Sequence, residues 1–261
     1  MTPRIYDTAD ALGYHLAERI ASGLRDAQSE GRAFVLGCPG GRSPTPVYAA
    51  FAQLMRDARL DCSTLIIAMM DEYLLSGVDG SLSAPSPSAH YSCKGFGERD
   101  IRGRINESLP KQLQIPPQNL WMPDPTQPST YDGRLAAAGG VDLFLLASGA
   151  GDGHIAFNPP GTQRDSTTRI VKLADQTRRD NLATFPDFRS VDEVPTHGLT
   201  IGTGSIANLS KSVAMILWGR DKQTAFQRIT GASSYDPDWP ATIVQECRNA
   251  EVHADRAAAG V

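Results

Sequence analysis

The chain has no apolar stretch long enough to cross a bilayer, and its opening residues, Met1 to Asp7, contain no hydrophobic leader core. Neither membrane insertion nor a secretory route is therefore expected. Cysteine is scarce: Cys38, Cys62, Cys93 and Cys247 are scattered, with no Cys-x-x-Cys pair. That spacing offers neither a disulfide framework nor a zinc site, and fits reduced thiols in a cytoplasmic protein. Positive charge is not in excess. A net charge of −4 and a pI near 5.7 exclude a general surface for nucleic acid or for an anionic membrane. A small anionic ligand stays compatible, because a pocket can be locally positive on an acidic protein. No internal repeat and no linker divides the 261 residues, so one domain over residues 1–261 is expected.

What is present reads as an ordinary globular chain, 41% hydrophobic and 21% charged. Leu12, Leu16, Ile20 and Leu24 recur every four residues, the mark of an amphipathic helix that Asp7 or Thr8 would cap. Residues 33–37 form a short apolar run, and residues 47–59 place Tyr48, Phe51, Leu54 and Met55 on one helical face. Further apolar runs follow at 65–70, 141–147, 199–201 and 213–218. Strands without polar alternation, interleaved with helices, predict an α/β fold with a mainly parallel, Rossmann-like sheet covered by helices on both faces. In such sheets ligands bind beyond the carboxyl ends of the strands. The segments to inspect are 39–45, 71–73, 149–158 and 219–222. Residues 76–88, rich in Ser, Gly and Pro, and the proline-rich 116–129 read as surface loops, either of which would suit a lid.

Four of these features carry chemistry. Gly37-Cys38-Pro39-Gly40-Gly41-Arg42-Ser43-Pro44 joins a strand to a helix. Its glycines let the backbone N–H groups approach an anion, the helix adds a positive dipole end, and Arg42 and Ser43 add donors. It lacks the Gly-Lys-Ser/Thr ending of a Walker A loop, and a plain strand-to-helix turn is an equal reading. Asp71-Glu72-Tyr73 follows an apolar strand, where a general base is useful, although a solvated strand end is the commoner fate of such a pair. Gly149 to Gly161 surrounds Asp152 and His154 with glycines, leaving a carboxylate able to orient an imidazole that exchanges protons at neutral pH. Arg178 and Lys222 supply cations, the latter just after a strand.

Taken together, Gly-x-Pro-x-Gly-x-Ser/Thr-Pro, Asp-Glu-Tyr, Asp-Gly-His-Ile-Ala-Phe-Asn and a strand followed by Gly-x-x-Lys resemble the glucosamine-6-phosphate deaminase/isomerase family, in the same order and approximate spacing. Thr168-Arg169-Ile170, Thr177-Arg178 and the run from Val194 to Gly202 resemble it too, so the likeness covers roughly residues 34–255. It implies Asp71 as the base that moves a proton between C2 and C1, Asp152 and His154 as the pair that opens the sugar ring, and Gly40, Gly41, Arg42, Ser43, Arg178 and Lys222 as the phosphate site. It implies a sugar-phosphate substrate, ammonia and fructose 6-phosphate as products, and neither metal nor organic cofactor. The family holds monomers and hexamers, so a homo-oligomer is compatible.

Pro159 stands where the deaminases carry a Glu that helps to orient the histidine, and Val171 stands where allosteric hexamers carry a Lys, so that regulation is not expected. Gly-Gly-Arg-Ser-Pro resembles the related 6-phosphogluconolactonases, whereas Tyr73 and Ile-Ala-Phe-Asn resemble the deaminases. A lactone hydrolase with His154 activating water, and a non-catalytic sugar-phosphate sensor, are the alternatives. Retention of Asp71, Asp152 and His154 together argues against the sensor.

Overall fold

A computed structural model describes residues 1–261, the side chain of Ala183 excepted. In chain order the strands are β1 (Arg4–Tyr6), β2 (Phe34–Cys38), β3 (Leu65–Met69), β4 (Asp71–Ser76), β5 (Leu82–Ser83), β6 (Leu120–Trp121), β7 (Leu143–Ala147), β8 (Arg169–Lys172), β9 (His197–Thr200), β10 (Val213–Leu217) and β11 (Ala250–Asp255). Seven of them form one sheet in the order β1-β11-β10-β7-β2-β3-β6. Every pairing in it is parallel.

Two apolar layers flank this sheet. Leu36, Ile67 and Leu145 point to one face and pack with Leu12, Leu16, Ile20, Val47 and Phe51 of the helices Ala9–Ser29 and Thr45–Ala58. Val35, Phe144 and Leu146 point to the other and pack with Tyr131, Leu135, Ile206 and Ile229. Alternate strand residues thus feed opposite faces, as the period of two demands, and both faces are covered. Each large apolar side chain buried in this way contributes about 1.5–3 kcal/mol. The first helix is capped by Thr8, whose hydroxyl accepts from the Ala11 N–H at 3.1 Å.

The strand order reverses between β2 and β7. From β2 the chain winds outward to β3 and β6, and from β7 outward to β10 and β11, beyond which β1, the first strand of the chain, forms the edge. The loops after β2 and β7 diverge at that point and leave a crevice beyond the strand ends.

Two segments differ from the expectation. The run 199–201 is not a strand of the parallel sheet: β9 lies in a second, antiparallel sheet ordered β5-β4-β9-β8. Asp71, Glu72 and Tyr73 are not a solvated strand end but the start of β4. The chain leaves the large sheet at Met70, whose carbonyl accepts from the Ile201 N–H at 2.8 Å. The proline-rich 116–129 segment contains edge strand β6, and residues 76–88 extend β4 into a hairpin with β5. Among the described residues, no helix is long and apolar enough to cross a membrane.

Candidate active site

At the switch point lies a cavity of about 560 Å³. Gly40, Gly41, Arg42 and Ser43 line one side, Asp71 and Tyr73 another, and His154 and Lys222 close on them from the β7 and β10 ends. Four loops far apart in sequence converge on one space.

The glycine loop enters the helix Thr45–Ala58 through Gly41, whose φ of +76° is a conformation that only glycine adopts without strain. No acidic residue occupies the helix's first turn, so its positive end is not neutralised locally. Arg42 is paired with Asp221, which also lines the cavity, and lies over the Trp218 ring at 5.0 Å. Lys222 is buried. Its Nζ donates to the Ser148 carbonyl at 2.6 Å, and burial pulls its pKa below that of an ordinary lysine.

Alternation along β4 separates its two carboxylates. Asp71 faces the cavity, while Glu72 accepts from Ser92 Oγ at 3.0 Å and from the Cys93 and Lys94 N–H groups at 2.9 and 2.8 Å. Glu72 is therefore the clasp of the turn that begins the helix Cys93–Phe96. Burial drives the Asp71 carboxyl up to about 7; a bond from the Cys93 thiol opposes that rise, the Glu72 charge adds to it, and His154 moderates it. A carboxylic acid poised at neutrality inside a cavity is suited to taking and returning protons.

The β7 loop folds back on itself, the Gly149 N–H donating to the His154 carbonyl at 2.8 Å. His154 Nδ1 lies 2.7 Å from Asp152 Oδ1. Burial alone would raise the Asp152 carboxyl; the bonds and charge of His154, with a bond from Thr177, outweigh it and hold the group below its ordinary value. Asp152 is thus an acceptor, Nδ1 carries the proton, and Nε2 is the ring nitrogen left for the cavity. The Thr177 hydroxyl sits 3.2 Å from both Asp152 Oδ2 and His154 Nδ1. A Cβ on Gly149 would come within 2.3 Å of both Asp152 Oδ1 and His154 Nδ1, so the pair requires glycine beneath it. Ala156, which also lines the cavity, holds φ at +51°, a strained backbone of the kind that gathers at functional sites.

The structure thus brings Gly40, Gly41, Arg42, Ser43, Asp71, His154 and Lys222 around one space, with Asp152 directly behind the histidine. Arg178 is the exception and corrects the expectation of a phosphate ligand there. It does not line the cavity; its guanidinium donates to the carbonyls of Val191 at 2.6 Å and Val194 at 3.0 and 3.3 Å, tying the end of the helix Asp175–Thr184 to the loop before β9. Pro159 lies outside the cavity as well, in a separate depression with Arg169 and Lys172. Residues 76–88 contribute nothing to the lining; Asp180, Asn181, Thr184 and Phe185 cover the cavity instead.

Sequence reasoning missed that covering helix because attention to strand ends passes over it. Thr177 and Asp180 stand three residues apart on one helical face, which is the signal that would have found them. Among the described residues, one group has the spacing of metal ligands: donor atoms of Asp152, His154 and Asp180 all lie within 4.8 Å of one another.

A doubly wound α/β protein with an anion-ready loop facing an Asp and an Asp–His pair is the class this geometry defines. No family model matches the chain. Its fold is that of a solved monomeric glucosamine-6-phosphate deaminase of the NagB superfamily, with a TM-score of 0.83 at 24% identity over 100% of this chain and 99% of the other. A 6-phosphogluconolactonase from Thermotoga maritima shares the fold less closely, with a TM-score of 0.64 at 19% identity over 97% of this chain and 99% of that one. A glucosamine-6-phosphate deaminase of Exiguobacterium sp. is 35% identical over 96% of this chain and 87% of its own length. The chain belongs to the glucosamine-6-phosphate deaminase/isomerase family and is an enzyme of that type.

Proposed function

We propose that the enzyme converts glucosamine 6-phosphate, or a close analogue, with water into fructose 6-phosphate and ammonia. One observation carries this reading: a carboxyl poised near 7 at Asp71 and the Asp152-supported imidazole of His154 open onto the same cavity as the glycine loop and Lys222. In this scheme Lys222, Arg42, Ser43 and the N–H groups of Gly40 and Gly41 hold the phosphate. His154 Nε2 takes the proton of the C1 hydroxyl and passes it to the ring oxygen, which opens the ring. Asp71 takes the proton from C2 while the C2 ammonium gives one to the C1 oxygen, leaving a neutral enolamine, and Asp71 then returns its proton to C1. The resulting C2 imine adds water and releases ammonia. Atoms and charge balance with water as the sole co-substrate.

The test is direct. Purified protein given glucosamine 6-phosphate should release ammonia and fructose 6-phosphate in equal amounts. Acid release from 6-phosphogluconolactone, with no ammonia from the amino sugar, would replace this reading with that of a hydrolase.

A further inference from the structure

The function proposed above assigns the two ends of the cavity and leaves the middle of the sugar without a partner. Among the described residues, five buried side-chain polar atoms have no hydrogen-bond partner: His90 Nε2, Arg102 Nε, Ser108 Oγ, Asn181 Nδ2 and Trp239 Nε1. Of these five residues Asn181 alone lines the cavity, and it is only 9% exposed. A buried amide left unpaired is costly unless a ligand or water completes it. The polar neighbours of Asn181 in the lining are engaged within the protein. The Ser148 hydroxyl donates to the Gly149 carbonyl at 3.0 Å, the Thr184 hydroxyl to the Asp180 carbonyl at 3.2 Å, and Asp180 accepts from the Gln176 amide at 2.8 Å.

Helical spacing places Asn181 relative to both ends. Thr177, Asn181 and Thr184 stand at i, i+4 and i+7 of the helix Asp175–Thr184, hence on one face. Thr177 meets the Asp152–His154 pair at 3.2 Å. At the other end, a Cβ on Gly41 of the glycine loop would lie 3.7 Å from the Thr184 methyl. With a rise of about 1.5 Å per residue, Asn181 falls about 6 Å from Thr177 and about 4.5 Å from Thr184 along the axis. A sugar phosphate with its reacting carbons at His154 and its phosphate at the glycine loop runs along this face, and its central carbons pass Asn181. Resting on the proposed deaminase reading, we infer that the Asn181 carboxamide hydrogen-bonds the substrate's hydroxyl at C3 or C4. Asn181 is then a specificity residue, which reads the hydroxyls between the reacting carbons and the phosphate. An amide suits that task because it offers a sugar hydroxyl both a donor and an acceptor.

The experiment titrates an unreactive open-chain probe, 2-amino-2-deoxyglucitol 6-phosphate, and its 3-deoxy and 4-deoxy forms into the protein by calorimetry. One hydrogen bond to the amide predicts that at least one deoxy form binds wild type about 5- to 20-fold more weakly than the parent. In Asn181→Ala and the nearly isosteric Asn181→Leu, the parent should weaken by a similar factor and the deoxy penalty should vanish. Without ligand, Asn181→Leu should melt no lower than wild type, because Nδ2 has no partner in the protein to lose. A lower melting point with the deoxy penalty intact would make Asn181 a structural residue and overturn the proposal. So would a wild type that binds all three probes equally, or none of them, and so would a penalty that persists in both variants. The two readings fail separately. A deoxy penalty that depends on Asn181, without ammonia release from the amino sugar, defeats the deaminase reading alone. Ammonia release with a penalty independent of Asn181 defeats the role of Asn181 alone.

Discussion

Replacing Asp71 with Asn should make the protein inactive and, above neutrality, more stable. The native carboxyl sits near 7 because burial opposes its ionisation, against 3.8 for an ordinary aspartate. Above pH 4 the unfolded chain has released this proton, whereas the native state keeps it until about pH 7. Across that window the native state binds more protons, so its stability falls as pH rises, by about 1.4 kcal/mol per pH unit. Between pH 5 and pH 7 the loss is about 2 kcal/mol, and the full difference above neutrality is about 4 kcal/mol. The amide of the Asp71→Asn variant carries no charge at any pH and has no such slope. Urea unfolding of both proteins at pH 5, 6, 7 and 8 should show the variant's advantage growing by about 3 kcal/mol and then levelling off. Steady-state assays of the wild type should show kcat/KM rising through about pH 7, as a base must be ionised to act. A stability difference that does not change with pH would refute the argument, because it would mean that Asp71 is ionised throughout and is not held by burial.

Three further outcomes are expected. Lys222→Gln should raise KM by about 10- to 100-fold through loss of a charged partner for phosphate, and an unchanged KM in steady-state kinetics would remove Lys222 from that end of the cavity. Arg178→Ala should cost about 1–3 kcal/mol of stability in denaturant melts, since the carbonyls of Val191 and Val194 lose their donor, while KM stays within about twofold. Asp152→Asn should lower kcat by about 100-fold or more, because His154 loses the anion that fixes its tautomer; retained turnover would show that Thr177 alone suffices.

Much of the architecture was legible in the residues. The runs 65–70, 141–147 and 213–218 announce a parallel sheet, and the periodicity of Leu12 to Leu24 announces its covering helix. The small antiparallel sheet was not legible, because β8 and β9 are four residues long and pair across a wide sequence gap, and apolar content alone does not tell a parallel partner from an antiparallel one. The glycine loop, Asp71, the Asp152–His154 pair and Lys222 were visible because each follows a strand. Arg178 misled for the opposite reason. A helix-borne cation looks the same in sequence whether it faces a ligand or a neighbouring loop, and only the placement of Val191 and Val194 decides. The division of labour within Asp71-Glu72 was also hidden, since adjacent strand residues point to opposite sides.

Asp71 is the first residue past the junction where the backbone steps from the seven-stranded sheet to the four-stranded one. Its backbone pairs with Thr200 of β9, which pairs in turn with Arg169 of β8, so the smaller sheet holds this carboxyl in place. Substitutions in β9 are expected to reach turnover through that joint, which makes the smaller sheet a support of the site rather than a decoration on the larger one.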